Sequence, residues 1–424
     1  VSAVGGPDHG MTTEPAVADT TAEPVRPRPR ALSTWLALTL VIATGVNLRA
    51  IFGVTPPLVP VISDELSLSA TAASLLTSVP ILAMAICAPL GHALTSRLGT
   101  DRAMIVLLAF LGIAELSRLM MDAAVPLIVS AGLIGGSLGA ISTLVPAFIA
   151  HYLPRLRGLA TGVYSTSMAL GVGLAAGTAQ PVTDHLGGWR VALGLWGVAA
   201  FALVLALGAV RASGRGMPRA AGGHHRVSLP LREKRAWFVS AVYCVPMFLG
   251  FGVIAWLPSH FIENGISPGR AAFYLVLFQS IQLVSMLTLT PLTDRIPGRR
   301  GVFATVMVTA TLGLLLLSME PHGLAVPGAL LAGFGIGGAS SLALVKVQDE
   351  ATSPQDATRL SAMSMLLSFT AGAVGPFLMG ALADLTGTLT WSFWLCFVVS
   401  AGGMLLLIGM HPAGHRVPSS PSTS

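Results

Sequence analysis

The residue with the largest chemical consequence in this chain is Arg49. It lies within an apolar stretch that begins near Trp35, which places it roughly 21 Å along a helix at ~1.5 Å per residue. A guanidinium at that depth in hydrocarbon costs at least a few kcal/mol if it faces lipid. It therefore needs water, a partner or a solute. No Asp or Glu sits at mid-depth in any apolar stretch. Glu115 comes nearest, but it lies toward the end of its stretch and is spaced i, i+3 from Arg118, with which it is expected to pair. Two readings of Arg49 follow: it faces a central cavity and binds an anionic or strongly dipolar solute, or backbone carbonyls hold it and it locks neighbouring helices. Asn47 is two residues away, about 200° around a regular helix. One of the two then meets solute and the other a neighbouring helix, unless Pro56 and Pro57 distort the segment.

Neutral polar groups add to this set. Gln279 and Gln282 sit at i, i+3, hence on one face, and an amide both donates to and accepts from a polar solute; interhelical bonding is the rival role. Ser137, Tyr164 and Trp256 are further candidates. For Ser137 the alternative is back-bonding to its own helix, and for the aromatics it is packing or an interfacial position.

Positioning these residues is a matter for the elements around them. Of 424 residues 53% are hydrophobic and 10% charged, against about 25% charged in a soluble domain. A soluble fold needs a polar shell, and this chain lacks the residues for one. Apolar segments long enough to span a bilayer, about 20 residues each, recur at 35–60, 70–92, 103–121, 125–150, 158–181 and 190–210. After a polar, basic break they resume at 236–258, 269–291, 301–319, 323–345, 358–381 and 390–410. Lipid offers peptide groups no partner, so each segment must be a helix. The expected architecture is all-α, with twelve transmembrane helices in two six-helix bundles: 34–211 and 236–411, a basic linker at 212–235, and disordered tails at 1–33 and 412–424.

Loop charge gives an orientation. With both tails cytoplasmic, 20 of the 24 Lys and Arg fall on the cytoplasmic side, as the positive-inside rule requires. Arg118, Arg190 and Arg270 fall outside, and Arg49 is intramembrane. The formal charge of +6 is accounted for in this way, with no basic face and interleaved aromatics to suggest nucleic acid.

The two halves repeat each other. LVPVISDELSLSATAA at 58–73 parallels WLPSHFIENGISPGRAA at 256–272. A shorter pattern recurs after every third helix: Gly380, Asp384 and Gly387; Gln180, Asp184 and Gly187; Asp294, Arg295, Gly298, Arg299 and Arg300; and Arg97, Gly99, Asp101 and Arg102, where Ser96 stands in the place of the acid. Repeated helical triplets doubled into halves are a secondary-transporter plan.

With these motifs the chain resembles the major facilitator superfamily, whose loop signature G-x-L-x-D-R-x-G-R-R is similar to the run ending in Asp294, Arg295, Gly298, Arg299 and Arg300. Within it, the chain is similar to the cyanate permease and 2-nitroimidazole transporter family. Asn47-Leu48-Arg49, PPLVPVI at 56–62, LSLSATAASLLTSVPILAMAICAPL at 66–90, RGLATGVYSTSMALG at 157–171, AWLP at 255–258 and LADLTG at 382–387 bear that likeness. The resemblance implies alternating access between two bundles, a small polar or anionic solute such as a cyanate-like anion or a nitroimidazole-like compound, and a monomer in the cytoplasmic membrane. The loop charges themselves suggest a gate of ion pairs on the cytoplasmic side, drawn from Arg97, Arg102, Asp294, Arg295, Arg299, Arg300 and Asp384; topology signalling alone is the rival account of the arginines.

Other classes fit less well. A membrane-embedded enzyme acting on a lipid-linked substrate would need clustered acids or histidines, and His92, His151 and His260 are scattered. An exporter of drugs or metabolites would share the same fold. Cys87, Cys244 and Cys396 show neither disulfide nor zinc spacing. Gly333, Gly335, Gly337 and Gly338 lack the preceding strand of a dinucleotide loop and are expected to permit close helix contact. No cofactor, metal or catalytic residue is expected.

Overall fold

In the computed structural model, residues 1, 32–215, 217, 229–293, 299–319 and 323–407 are described. Nearly all of the expected N-terminal tail, the C-terminal tail, half of the linker, and Asp294 and Arg295 lie outside these residues. Twelve helices cover the rest: α1 (Thr34–Leu66), α2 (Ala70–Leu98), α3 (Thr100–Leu116), α4 (Ala124–Tyr152), α5 (Arg157–Leu186), α6 (Trp189–Val210), α7 (Lys234–Glu263), α8 (Pro268–Thr293), α9 (Arg299–Met319), α10 (Ala325–Asp349), α11 (Pro354–Thr386) and α12 (Thr390–Gly403). Eleven are long and apolar enough to cross a membrane. The twelfth apolar stretch, Thr390–Leu406, is shorter, and the expected segment to residue 410 runs beyond the described residues. Most helices run past the hydropathy-based spans, chiefly at their C-terminal ends: α2 begins where its apolar run does, at Ala70, with Ser69 accepting from the Ala72 N–H, but continues to Leu98. Helix α4 breaks at Thr143 and Leu144, where i→i−3 bonds tighten the backbone just before Pro146, which has no N–H to give.

The halves are built alike. In the first, α1 packs on α5, α2 on α4 and α3 on α6; in the second, α7 packs on α11, α8 on α10 and α9 on α12. Small residues set the spacing. A Cβ on Gly337 of α10 would stand 2.5 Å from the Gln282 carbonyl oxygen, and one on Gly335 would stand 2.2 Å from the Ala310 nitrogen. Helix α10 thus touches backbone on two sides, which only glycine permits.

The halves meet through α2–α11, α5–α8 and α1–α7. Their contact is uneven along the membrane normal. At the end away from the chain termini, Val59, Ala73 and Ala176 share one buried cluster with Leu249, Val253 and Trp256. At mid-depth Phe52 meets Phe251 at 5.6 Å, and Phe251 meets Phe369 at 6.2 Å. At the end carrying the termini, the buried cluster of Ala236, Val239, Val347, Leu360 and Met363 belongs to the second half alone. Among the described residues α4 and α10 do not pack on each other there. The molecule is sealed at the far end and cleft at the terminal end.

Candidate functional site

The aromatic contact at mid-depth forms the floor of that cleft. Arg49 lies one turn to its terminal side, with Cζ 5.5 Å from the centroid of the Phe52 ring. Side chains on a helix lean toward its N-terminus, so the guanidinium extends from the Phe52–Phe251 contact into the open end. It is half-buried. Among the described residues it makes no hydrogen bond and no ion pair; its partner is the Phe52 ring face, a cation–π contact. The titratable groups near enough to feel its charge are Tyr164 on α5 and Tyr243 on α7. Arg49 therefore lies between the halves, with its donors unspent.

Asn47 points elsewhere. It is buried, and its Nδ2 donates to the Trp196 carbonyl of α6 at 3.1 Å, while Oδ1 is buried without a partner. Of the two neighbours, Asn47 meets a helix and Arg49 meets the cleft, as their 200° separation requires.

The glutamines also part company, although i, i+3 spacing suggested a common face. The 60° between them suffices to give them different neighbours. Gln279 lines an apolar cavity of about 540 Å3 between α5 and α8 with Gly173, Leu174 and Val276, and its Oε1 has no partner. Gln282 lies against Gly337 of α10 and near Gly250 of α7. Ser137 bonds back to the Leu133 carbonyl at 2.9 Å. Trp256 is buried and donates to the Pro376 carbonyl of α11 at 2.9 Å, joining helices within the second half.

The charge-bearing loops divide by end. Asp384 lies at the far end, not beside the basic loops. Its Oδ1 accepts from the Ala70 N–H at 2.7 Å and its Oδ2 from the Thr71 N–H at 2.8 Å. A carboxylate of α11 thus caps the first turn of α2 in the opposite half, where the helix dipole is positive. Its repeat counterpart Asp184 accepts instead from Gln180 of its own helix at 2.8 Å. At the terminal end Asp101 is buried and accepts from the Tyr152 hydroxyl at 3.4 Å and the Met217 N–H. Arg102 and Arg300 are exposed, Arg97 has an interaction of its own, and Arg299 begins α9.

Glu115 and Arg118 are near enough to feel each other's charge but make no direct ion-pair contact. Arg118 is buried and its Nε donates to Ser130 Oγ at 3.0 Å, while Glu115 Oε2 is buried and unpartnered. The ion pairs of that end join other residues: Arg190 to Glu65 at 2.7 Å and to Asp122 at 2.8 Å, with Trp189 Nε1 donating to Glu65 at 2.6 Å.

Two six-helix halves with matching helix pairing, packed together at one end around a central basic residue, make a polytopic all-helical membrane fold. The chain belongs to the major facilitator superfamily, whose family model matches residues 40–351 and 261–423. It is a secondary transporter and not an enzyme. It is 31% identical over 90% of its length to the uncharacterized transporter YycB of Bacillus subtilis, covering 93% of that protein. It is 26% identical to the cyanate transport protein CynX of Escherichia coli, over 90% of this chain and 98% of that one. It is 28% identical to the 2-nitroimidazole transporter of Escherichia coli, over 88% and 93%. In fold it is similar to the nucleoside transporter NupG (TM-score 0.74, 12% identity, 88% of this chain and 99% of that one). It also resembles a bacterial homolog of the lysosomal transporter Spinster in an inward-facing and occupied conformation (TM-score 0.73, 15% identity, 88% and 96%).

Proposed function

We propose that the chain carries a small anionic or strongly dipolar solute across the cytoplasmic membrane, and that Arg49 is the group that binds it. One observation supports this above the others: a guanidinium at mid-membrane, between the two halves, with no anionic partner among the described residues. A permanent charge at this depth is costly unless water or a counter-ion reaches it. A solute bearing negative charge or a strong dipole relieves that cost when bound, and its entry through the cleft requires no rearrangement. The two Escherichia coli relatives, one a cyanate transport protein and the other a 2-nitroimidazole transporter, are consistent with a small planar solute of that kind.

In this reading the termini and the open cleft are cytoplasmic, as the 20 cytoplasmic basic residues favour. Asp384 holds the outer end shut by capping α2 across the interface. The basic loops around Arg97, Arg102, Arg299 and Arg300, with Asp294 and Arg295, serve the inner gate in the opposite state. The whole path lies within one chain, so a monomer suffices. The test is flux of cyanate and of 2-nitroimidazole into proteoliposomes for the parent and Arg49→Ala. A hydrogen bond to a charged group is worth about 1.5–3 kcal/mol, so flux at limiting solute should fall at least about tenfold. Near-parent flux by a well-inserted Arg49→Ala protein rejects the assignment.

A further inference from the structure

The seam between α5 and α8 holds small residues that packing does not use. Ala169, Gly173 and Gly177 recur every fourth residue and so share one face of α5. Such faces ordinarily let membrane helices approach until their backbones touch. Gly171 of the same helix serves that purpose: a Cβ there would stand 2.2 Å from the Val46 carbonyl oxygen of α1. Toward α8 the approach is not made. A Cβ on Gly173 would meet only Val276 Cγ1, at 3.8 Å, and one on Gly177 would meet nothing within 4 Å. The space left over is the cavity of about 540 Å3, and no charged side chain lines it. Its mouth faces lipid. Leu174 and Thr178 are exposed, yet Ala176 between them is buried in the cluster where the two halves meet. At that depth no cleft remains for the exposed pair to face.

The free hydrogen-bonding capacity around this cavity is mostly that of acceptors. Thr178 Oγ1 donates to the Leu174 carbonyl at 2.7 Å, and Ser280 Oγ donates to the Val276 carbonyl at 2.8 Å. Each hydroxyl has given its proton to its own helix and keeps only lone pairs. Gln279 is 8% exposed, and its Oε1 is buried without a partner, an expensive state for an amide oxygen. The terminal torsion of a glutamine is soft, so rotation brings that oxygen to the cavity wall. We propose that the α5–α8 cavity is a second binding site, separate from Arg49 and entered from the bilayer, for an uncharged, mostly apolar molecule carrying an N–H or O–H donor. Its size falls within the usual range of small-molecule pockets, about 300–1,000 Å3, which combine apolar walls with a few placed polar groups. A charged ligand is disfavoured because nothing in the walls would balance it. A plain hydrocarbon would fill the space but leave the Gln279 oxygen unpaired. Because the walls come from both halves, an occupant joins them across the seam.

The test uses the full chain in nanodiscs and two fluorescent probes of similar size: carbazole, which has one N–H, and N-methylcarbazole, which has none. Saturable binding is read from probe fluorescence after subtraction of protein-free nanodiscs. Carbazole should bind about two- to tenfold tighter than its methyl analogue, the yield of one neutral hydrogen bond. Gln279→Leu should lower carbazole affinity to that of N-methylcarbazole. Gly177→Leu, which fills the groove, should abolish saturable binding of both probes. Its unfolding temperature without probe should match or exceed that of the parent, since leucine replaces glycine within a helix. Arg49→Gln should bind carbazole like the parent, so this site and the Arg49 reading stand or fall separately. Equal affinity of the parent for the two probes leaves an apolar groove suited to acyl chains and overturns the donor-recognising site. Carbazole binding that survives Gly177→Leu, or that is lost in Arg49→Gln, puts the probe elsewhere and overturns the assignment. A parent protein that binds neither probe saturably overturns it as well.

Discussion

Replacing Asp384 with alanine should loosen the sealed end of the transporter by an amount that the structure allows to be worked out. The carboxylate accepts two short backbone bonds, 2.7 and 2.8 Å, from the first turn of α2. Removing a helix N-cap acceptor costs about 0.5–2 kcal/mol, and charge at a helix N-terminus adds typically 0.3–1 kcal/mol when exposed. Asp384 is exposed, so water replaces part of what is lost, and a net change of about 1–2 kcal/mol is reasonable after screening. The cap spans the two halves, so nearly all of that change falls on the equilibrium between a closed and an open far end. One kcal/mol or two is a factor of about 5–30 in such a ratio. The reporter is a cysteine at Ala73, which is buried between the halves beside Asp384, in a background with Cys87, Cys244 and Cys396 changed to alanine. Labelling by a membrane-impermeant maleimide from the outer face should accelerate by that factor in Asp384→Ala. The matching change at Asp184, whose carboxylate is bound within its own helix, should have little effect. Equal labelling rates in the parent and Asp384→Ala, with both proteins folded, would refute the idea that this contact holds the halves together.

Two other substitutions separate structural from transport roles. Asn47→Leu removes one hydrogen bond to Trp196 and, at the same time, a buried oxygen that has no partner. The two effects oppose each other, so thermal stability should change by less than ~1 kcal/mol and flux should persist; loss of flux without loss of stability would place Asn47 in the solute path. Gly337→Ala puts a methyl group 2.5 Å from the Gln282 carbonyl oxygen. Overpacking of this sort costs about 1–3 kcal/mol, visible as a lower unfolding temperature in detergent, and an unchanged temperature would mean that α8 and α10 are not in direct backbone contact.

The helices were legible because hydropathy and the backbone's need for internal bonds act locally. Each of the twelve segments could be found from its own residues, and the error was confined to their ends, as where α2 continues past its apolar run to Leu98. The internal repeat was legible too, since the 58–73 and 256–272 motifs survive as matching helix ends. What could not be read was the choice of neighbour. Gln279 and Gln282 share a face by spacing, yet the 60° between them sends one to α5 and the other to α10. Glu115 and Arg118 share the spacing of an ion pair, yet the arginine Nε goes to Ser130.

The same asymmetry bears on how the cycle is driven. The repeat would allow Asp184 to cap α8 as Asp384 caps α2, which would seal the far end along both seams. Among the described residues only the α2–α11 seam has the cap. The α5–α8 seam instead has glycines, an unpartnered Gln279 amide and an apolar cavity, features that cost little to separate. Alternating access needs the far end to be closed firmly enough to prevent leak and weakly enough to open within a transport cycle. A single exposed cap, worth about 1–2 kcal/mol, together with apolar packing that slides without breaking hydrogen bonds, meets both demands. A second cap on the opposite seam would deepen the closed state by a similar amount and slow the return. The distribution of one cap and one unpinned seam is therefore itself suited to a carrier, in which neither end is held much more tightly than the solute can repay on binding.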